Sequence, residues 1–178
     1  NNTDVSVKNK SYLTPFLELK NDHYKLERNF IKSGFNRNTK DILSSVFSIG
    51  DSNLEYSCEI SSEYIGTGCK ILVSDVDETK EYKMVVYGDV NGDGDRTITD
   101  MVQIMMYSKD SNYFNEECYR MAADVNQNHS VDITDASELM RALVDEREIV
   151  VKDSDDTNPS IETIITLSTN NISVDKGN

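Results

Sequence analysis

The sequence lacks the features that mark several common classes of protein. It contains no tryptophan and no apolar run of 18 residues, so we expect no segment that spans a membrane. Basic residues are outnumbered by acidic ones, 18 to 32, and the net charge of −14 argues against a surface for nucleic acids. His23 and His129 are the two histidines, and neither belongs to a metal or nucleophile motif. Serine-hydrolase, P-loop and dinucleotide-binding motifs are absent as well, so we predict that the chain is not an enzyme.

Cysteine is scarce and odd in number. The three cysteines are Cys58, Cys69 and Cys118. They form no CxxC pair, which argues against the common zinc and thioredoxin-like motifs. Cys58 and Cys69 flank a predicted turn, so they either pair as a disulfide across a hairpin or remain small core thiols. The cysteines therefore leave the redox compartment open.

The first half of the chain has the pattern of a small mixed domain. Thr39 is placed to cap a helix over residues 38–48. Four stretches alternate apolar and polar residues, as half-buried strands do: 22–31, 53–60, 69–76 and 81–88. We therefore predict a small α+β module over residues 1–87, with one helix on a short sheet.

Residues 88–102 concentrate negative charge in a short segment. The stretch GDVNGDGDRTITDMV places four aspartates, one asparagine and three glycines in its first 13 positions. Because like charges repel at short range, this cluster is costly unless a cation lies among its oxygen atoms. The pattern returns 35 residues later, where DVNQNHSVDITD (124–135) aligns with DVNGDGDRTITD (89–100). Duplication at a fixed period indicates two structurally equivalent units.

Both segments have the spacing of a calcium-binding loop. Oxygen ligands at positions 1, 3, 5, 7, 9 and 12 surround a hard cation, and position 7 contributes its main-chain carbonyl. The first set is Asp89, Asn91, Asp93, Asp95, Thr97 (through a water) and Asp100. The second set is Asp124, Asn126, Asn128, Ser130, Asp132 and Asp135. Magnesium demands a tighter octahedron and keeps its waters, so the spacing predicts two calcium ions.

Two positions depart from the usual loop pattern. Position 6 of the second loop is His129, where a turn with positive φ favours glycine. With Asn128 in place of an aspartate as well, we expect the second site to bind calcium more weakly. Position 8 of the first loop is Arg96, where the second loop has the apolar Val131. We expect a partly exposed Arg96 stem and a slightly looser first loop.

The order of elements around the loops distinguishes two families. An EF-hand needs a helix entering the loop, whereas residues 81–88 alternate as a strand, and position 12 is Asp in both loops. A duplicated loop followed by a helix, with a short helix at 115–123 between the copies, resembles the type I dockerin of cellulosomes. This resemblance implies an α+β chain, in which the sheet-plus-helix module precedes an all-α dockerin of two calcium loop–helix repeats at 88–147. The first module resembles the companion (X-like) modules that precede some dockerins.

The resemblance also implies a function. Dockerins bind a cohesin module of a scaffold protein in a calcium-dependent way and attach their parent polypeptide to an extracellular polysaccharide-degrading complex. We therefore expect a secreted or cell-surface protein. Family positions that meet the cohesin correspond here to Ile98, Thr99, Met105, Met106, Ile133, Thr134, Met140 and Arg141. Since both loops carry Ile-Thr, binding in two orientations rotated by about half a turn is a further hypothesis.

Helix periodicity offers another role for some of these residues. Two stripes at i, i+3, i+4 and i+7 favour core packing. They are Met101, Ile104, Met105 and Ser108, and Ala136, Leu139, Met140 and Leu143. Met106 and Arg141 lie off the stripes and are better candidates for contact with a partner.

Other interpretations concern the ends of the chain. The chain is alternatively a carbohydrate-binding or adhesion protein anchored through its dockerin, if aromatic residues of the first module form an exposed cluster. The candidates are Tyr12, Phe16, Tyr24 and Phe30. A calcium-controlled regulator of the EF-hand kind is a third interpretation, and it requires an entering helix. Residues 148–160 read as a linker, and residues 161–178 as the start of a further β domain or a strand added to the first module.

Overall fold

A computed structural model describes residues 18–19, 23–48, 53–57, 59, 62–74 and 79–152 of the 178-residue chain. The elements in chain order are β1 (Glu18–Leu19), β2 (Tyr24–Glu27), β3 (Phe30–Ser33), α1 (Lys40–Val46), β4 (Phe47–Ser48), β5 (Asn53–Ser57), β6 (Lys70–Ser74), β7 (Thr79–Val86), α2 (Ile98–Tyr107), α3 (Glu117–Ala123) and α4 (Ile133–Val144). The fold is mixed α+β, as predicted, with a sheet in the first half and helices in the second. Within the described ranges, no helix is long and apolar enough to cross a membrane.

Five strands form the main sheet in the order β2-β3-β7-β6-β5. Only β3 and β7 pair in parallel; the other neighbours are antiparallel, and β1 pairs with β4 separately. The prediction of one strand over 22–31 is wrong, because a tight turn at Arg28 and Asn29 divides this stretch into β2 and β3. Arg28 adopts a φ of 54°. Glycine or asparagine is usual at a position with positive φ in such a turn; here the asparagine, Asn29, comes one residue later, so the arginine gives no sequence signal.

The main sheet contributes buried residues to a hydrophobic cluster on each of its faces. One face joins α1 through a cluster that contains Leu43, Ile71, Val73 and Met84. The predicted cap of α1 is confirmed, since the Ile42 main-chain N–H donates to the Thr39 hydroxyl at 3.3 Å. The helix therefore begins where its sequence signal placed it.

The opposite face of the sheet packs against the helical half. Phe30, Val85 and Tyr87 share one cluster with residues of the helices, among them Ala122 and Leu139. Sheet and helices therefore share this cluster. Only Tyr87 and Gly88 separate the end of β7 from the first loop.

The described part of the predicted linker runs along the sheet. Ile149 and Val151 are buried in the same cluster as the helices, and the Ile149 N–H donates to the Gly34 carbonyl at 3.0 Å. A Cβ at Gly34 would lie 1.6 Å from the Ile149 carbonyl oxygen, so only glycine permits this approach. Residues 153–178, with the rest of the linker and the predicted final strands, lie outside the described residues.

The cysteines divide into two chemical states. Cys69 is disulfide-bonded, and Cys118 is a free thiol on the buried face of α3. Cys58 lies outside the described residues. Of the two interpretations for Cys69, the disulfide is therefore the one observed.

Candidate metal centres

Asp89, at position 1 of the first loop, is fully buried. Its carboxylate accepts hydrogen bonds from the main-chain N–H groups of Thr67 at 2.8 Å, Gly92 at 2.8 Å and Gly94 at 3.1 Å. Gly94 has a φ of 79°, a conformation that residues with a Cβ rarely adopt. The loop thus turns tightly around an acidic group at its centre.

Asp100, at position 12, joins the first loop to α2. Its Oδ1 accepts hydrogen bonds from the N–H groups of Val90 at 2.9 Å and Asn91 at 3.2 Å. Its Oδ2 accepts from the Thr97 N–H at 2.9 Å, while the Thr97 hydroxyl accepts from the Thr99 N–H at 3.2 Å. Thr97 and Asp100 together form the capping box of α2. One carboxylate therefore closes the loop and starts the helix.

The middle positions of the first loop fold back on their own backbone. The Asn91 side-chain oxygen accepts from the Asp93 N–H, and the Asp93 carboxylate accepts from the Asp95 N–H, both at 2.9 Å. The Asp95 carboxylate instead pairs with Arg37, with two N–O distances of 3.0 Å. The Asp95 carboxylate is therefore engaged elsewhere, and the carbonyl is the candidate ligand group predicted for position 7.

The second loop repeats these hydrogen bonds 35 residues later. Asp124 accepts from the N–H groups of Asn128 and His129, both at 2.9 Å, and Asp135 accepts from Asn126 at 3.0 Å and Asp132 at 2.9 Å. Asp132 and Asp135 form the capping box of α4. His129 adopts a φ of 69°, which confirms the expected positive φ at position 6. The side-chain oxygens of Asn126 and Asn128 accept hydrogen bonds from the N–H groups of Asn128 and Ser130 respectively.

The electrostatics of the first loop favour a bound cation. Burial raises the pKa of Asp89 to about 7, with further contributions from the nearby Asp100 and Asp93 carboxylates. Burial likewise raises the pKa of Asp100 and of Asp135. Among the described residues, no basic side chain forms an ion pair with Asp89 or Asp100. A hard cation would supply the missing positive charge.

The chemistry of the donor set fits calcium. In the described part of the chain, no three His, Cys, Asp or Glu side chains are grouped as a ready metal site. Each predicted set instead mixes carboxylates with Asn side-chain oxygens, a hydroxyl or second acid, and a carbonyl. These are the oxygen ligands that calcium accepts at six to eight positions.

Arg96 contradicts the expectation of a partly exposed stem. It is 5% exposed, and its guanidinium forms a hydrogen-bonded ion pair with Glu148. The Arg96 N–H also donates to the Asn36 side chain at 2.8 Å. Glu148, which is 52 positions away along the chain, provides the charge that permits a buried arginine where the second loop has Val131.

The predicted partner-binding residues lie mostly on the surface. Ile98 is 62% exposed and Ile133 is 54% exposed, and Met106 is exposed as well. Thr99, Thr134 and Arg141 are also exposed, whereas Met105 is half-buried against the core.

The two predicted core stripes are partly wrong. Ile104, Ala136 and Leu139 are buried, but Ser108 and Met140 are exposed. Ala142 takes the core position instead, because the buried face of α4 is rotated towards it. Val102 and Val144 are two further exposed apolar residues on these helices, and neither was among the predicted partner-binding residues. Spacing could have found them, since each lies four residues from Met106 or Met140 on the same helix.

The described residues bear on two alternative interpretations. Tyr24 and Phe30 are buried in the core, so they form no exposed aromatic surface, and Tyr12 and Phe16 lie outside the described residues. The first loop is entered from a strand, β7, and not from the helix that an EF-hand requires.

The comparisons with known proteins agree with the loop geometry. The family model described as Dockerin type I domain matches residues 87–144. No curated protein and no solved structure matches the chain. Type I dockerins are calcium-binding interaction modules, not catalytic ones, and they bind cohesins in cellulosome-type assemblies, whose components are extracellular. The stretch from residue 87 to residue 144 of this chain is therefore a type I dockerin domain.

Proposed function

We propose that residues 88–147 bind two calcium ions and, when loaded, bind a cohesin of a scaffold protein. This binding attaches the parent polypeptide to an extracellular polysaccharide-degrading complex. The rest of the chain is proposed to be a companion module without catalytic activity. The observation that carries the proposal is a pair of exposed apolar stripes on the two helices that follow the loops.

Each stripe begins next to a loop. On α2 the stripe consists of Ile98, Val102 and Met106, and on α4 of Ile133, Met140 and Val144. Val144 is 72% exposed and Met140 is 39% exposed. Exposed apolar groups of this extent on a small domain are typical of a protein interface. Burying one such side chain contributes about 1.5–3 kcal/mol.

The loops give calcium a direct influence on these stripes. Ile98 and Thr99 lie between Thr97 and Asp100, both of which are predicted ligands and members of the α2 capping box. An ion that orders the loop therefore also fixes the first turn of the helix and its exposed side chains. The same relation holds on α4 for Ile133 and Thr134.

The direct test is calorimetric titration of the 178-residue chain with a panel of cohesins, in calcium and in EGTA. We expect one or more cohesins to bind in calcium and none in EGTA. Val102→Asp and Val144→Asp together should abolish binding. Val150→Asp is the matched control, because Val150 is also exposed but lies on neither stripe. Equal binding in EGTA, or equal loss with Val150→Asp, would reject the proposal.

The two orientations require a separate test. Replacing Ile98-Thr99 by alanines should leave binding largely intact, and so should replacing Ile133-Thr134. Replacing both pairs should abolish binding, because neither helix then has an apolar contact at its first turn. Complete loss with one pair alone means that the cohesin binds in a single orientation.

A further inference from the structure

The first loop is held from outside by the sheet half of the chain. A Cβ built on Gly66 would lie 2.4 Å from the Gly92 carbonyl oxygen, 2.5 Å from the Gly94 nitrogen and 2.7 Å from Asp89 Oδ2. The backbone at Gly66 therefore lies directly against the predicted ligand Asp89. The next residue, Thr67, donates its N–H to the same carboxylate.

Side-chain and main-chain groups of the sheet half donate further hydrogen bonds to the loop. The Ser62 hydroxyl donates to the Asp93 carbonyl at 2.5 Å, and the Arg37 main-chain N–H donates to the Gly94 carbonyl at 3.1 Å. The Arg37 guanidinium also pairs with Asp95 in a two-pronged contact. These bonds fix positions 5, 6 and 7 of the loop from outside.

The second loop is held differently. Asn128, His129 and Ser130, its positions 5 to 7, are exposed to solvent. Its contacts to the end of the described chain are made earlier in the loop, where the Gln127 side chain donates to the Val150 carbonyl at 2.7 Å. The Lys152 ammonium donates to the Asn126 carbonyl at 2.6 Å.

We infer that the first calcium site is a composite site: the loop supplies the ligands, and residues 36–37 and 62–67 of the sheet half hold the loop in its binding conformation. The inference rests on the proposed binding of calcium by both loops. Because the sheet half already orders the first loop, less conformational entropy is lost when the ion binds. The first loop is therefore the tighter site and releases calcium more slowly than the second.

Calcium affinity of the first loop can be measured in isolation. In the 178-residue chain, Asp124→Asn removes a central carboxylate of the second loop and leaves the first loop as the binding site. Within this background, Gly66→Ala places a methyl group against Asp89 and Gly94, and we expect calcium affinity to fall about tenfold or more in calorimetry. The φ of Gly66 is not in the left-handed range, so the effect of the alanine comes from the contacts of its methyl group with the loop and not from its backbone conformation.

Arg37→Ala and Gln127→Ala form a matched pair in the same background. Arg37 has a φ of 55° and Gln127 a φ of 57°, so alanine meets the same backbone strain at both. We expect Arg37→Ala to weaken calcium binding several-fold and to speed its release to a chelator in stopped-flow. Gln127→Ala should leave both unchanged, because Gln127 belongs to the disabled second loop and its side chain bonds Val150 and Lys152, not the first loop.

The outcomes separate this inference from the proposed function. If the background binds calcium and neither Gly66→Ala nor Arg37→Ala weakens it, the composite site is rejected while calcium binding stands. An equal loss with Gln127→Ala also rejects it, because the effect is then not specific to the first loop. If the unaltered chain binds no calcium, both proposals fail. Should Gly66→Ala not fold, the comparison of Arg37→Ala with Gln127→Ala decides alone.

Discussion

The two loops of this chain share their internal hydrogen bonds and differ in their surroundings. In each loop the first aspartate accepts N–H groups near position 6, and the twelfth closes the loop and caps a helix. Asp89 is fully buried and accepts an N–H from Thr67 of the sheet half, whereas its counterpart Asp124 is only half-buried; Asp100 and Asp135 are both buried. The spacing of the polar residues therefore sets the shape of each loop, and contacts with the sheet half set how firmly that shape is held.

Removal of calcium should give the largest difference between the loops. At a calcium concentration 100 times the dissociation constant, each occupied site contributes about 2.7 kcal/mol. In EGTA we expect loss of helical circular dichroism mainly from α4 and to a smaller extent from α2, while the sheet persists. In a gradual calcium titration, amide exchange should rise first in the second loop and α4. An unchanged helical signal in EGTA contradicts the coupling, and simultaneous exposure of both loops contradicts the asymmetry.

Asp89→Asn and Asp124→Asn test the same position in the two loops. The Asp89 carboxylate is buried and accepts three N–H groups, and an asparagine leaves part of them unpaired, at a cost of about 1–3 kcal/mol beyond the lost ion. At Asp124 water can replace the lost interactions. Urea unfolding in saturating calcium should therefore show the larger loss for Asp89→Asn. Equal losses would mean that burial by the sheet half contributes nothing.

Position 8 distinguishes the loops through one ion pair. Glu148→Ala leaves the buried Arg96 guanidinium without its counter-charge. We expect a loss of about 2 kcal/mol, below the 3–5 kcal/mol of fully buried pairs, because the Glu148 side chain is 38% exposed. Arg96→Val, which copies Val131 of the second loop, should cost less, since Glu148 can then be solvated. The reverse order in thermal unfolding would contradict this account.

Position 6 should give the smallest effect. His129→Gly removes the side chain from a residue with a φ of 69° and makes the second loop resemble the first at Gly94. Relief of backbone strain is worth about 1 kcal/mol, and part of it is offset by the greater freedom of glycine in the unfolded chain. A small rise in unfolding temperature and in calcium affinity is expected. A fall in either would mean that the His129 side chain makes a stabilising contact.

Local patterns in the sequence were sufficient for much of the fold. Alternation predicted β5, β6 and β7, and Thr39 marked the start of α1, because these signals involve neighbouring residues. The duplicated loops could be found for the same reason, since all six positions of each set fall within 12 residues.

Contacts between distant residues could not be read in the same way. Arg96 was expected to be partly exposed, because position 8 of such a loop usually has an apolar residue, and its partner Glu148 lies in a segment whose composition indicates a linker. The approach of Gly66 to Asp89 is equally hidden, because a glycine near a predicted turn has an adequate local explanation. The contacts between the sheet half and the helical half could therefore not be predicted from the sequence.

The direct passage from β7 into the first loop limits how the two halves can move. Tyr87 and Gly88 are the only residues between Val86 and Asp89, both are buried, and the Gly88 N–H donates to the Ala122 carbonyl at 2.8 Å. There is no pivot at this junction. A domain fused to the sheet would therefore be held at one angle relative to the two apolar stripes, and it would reach only the surface that faces it.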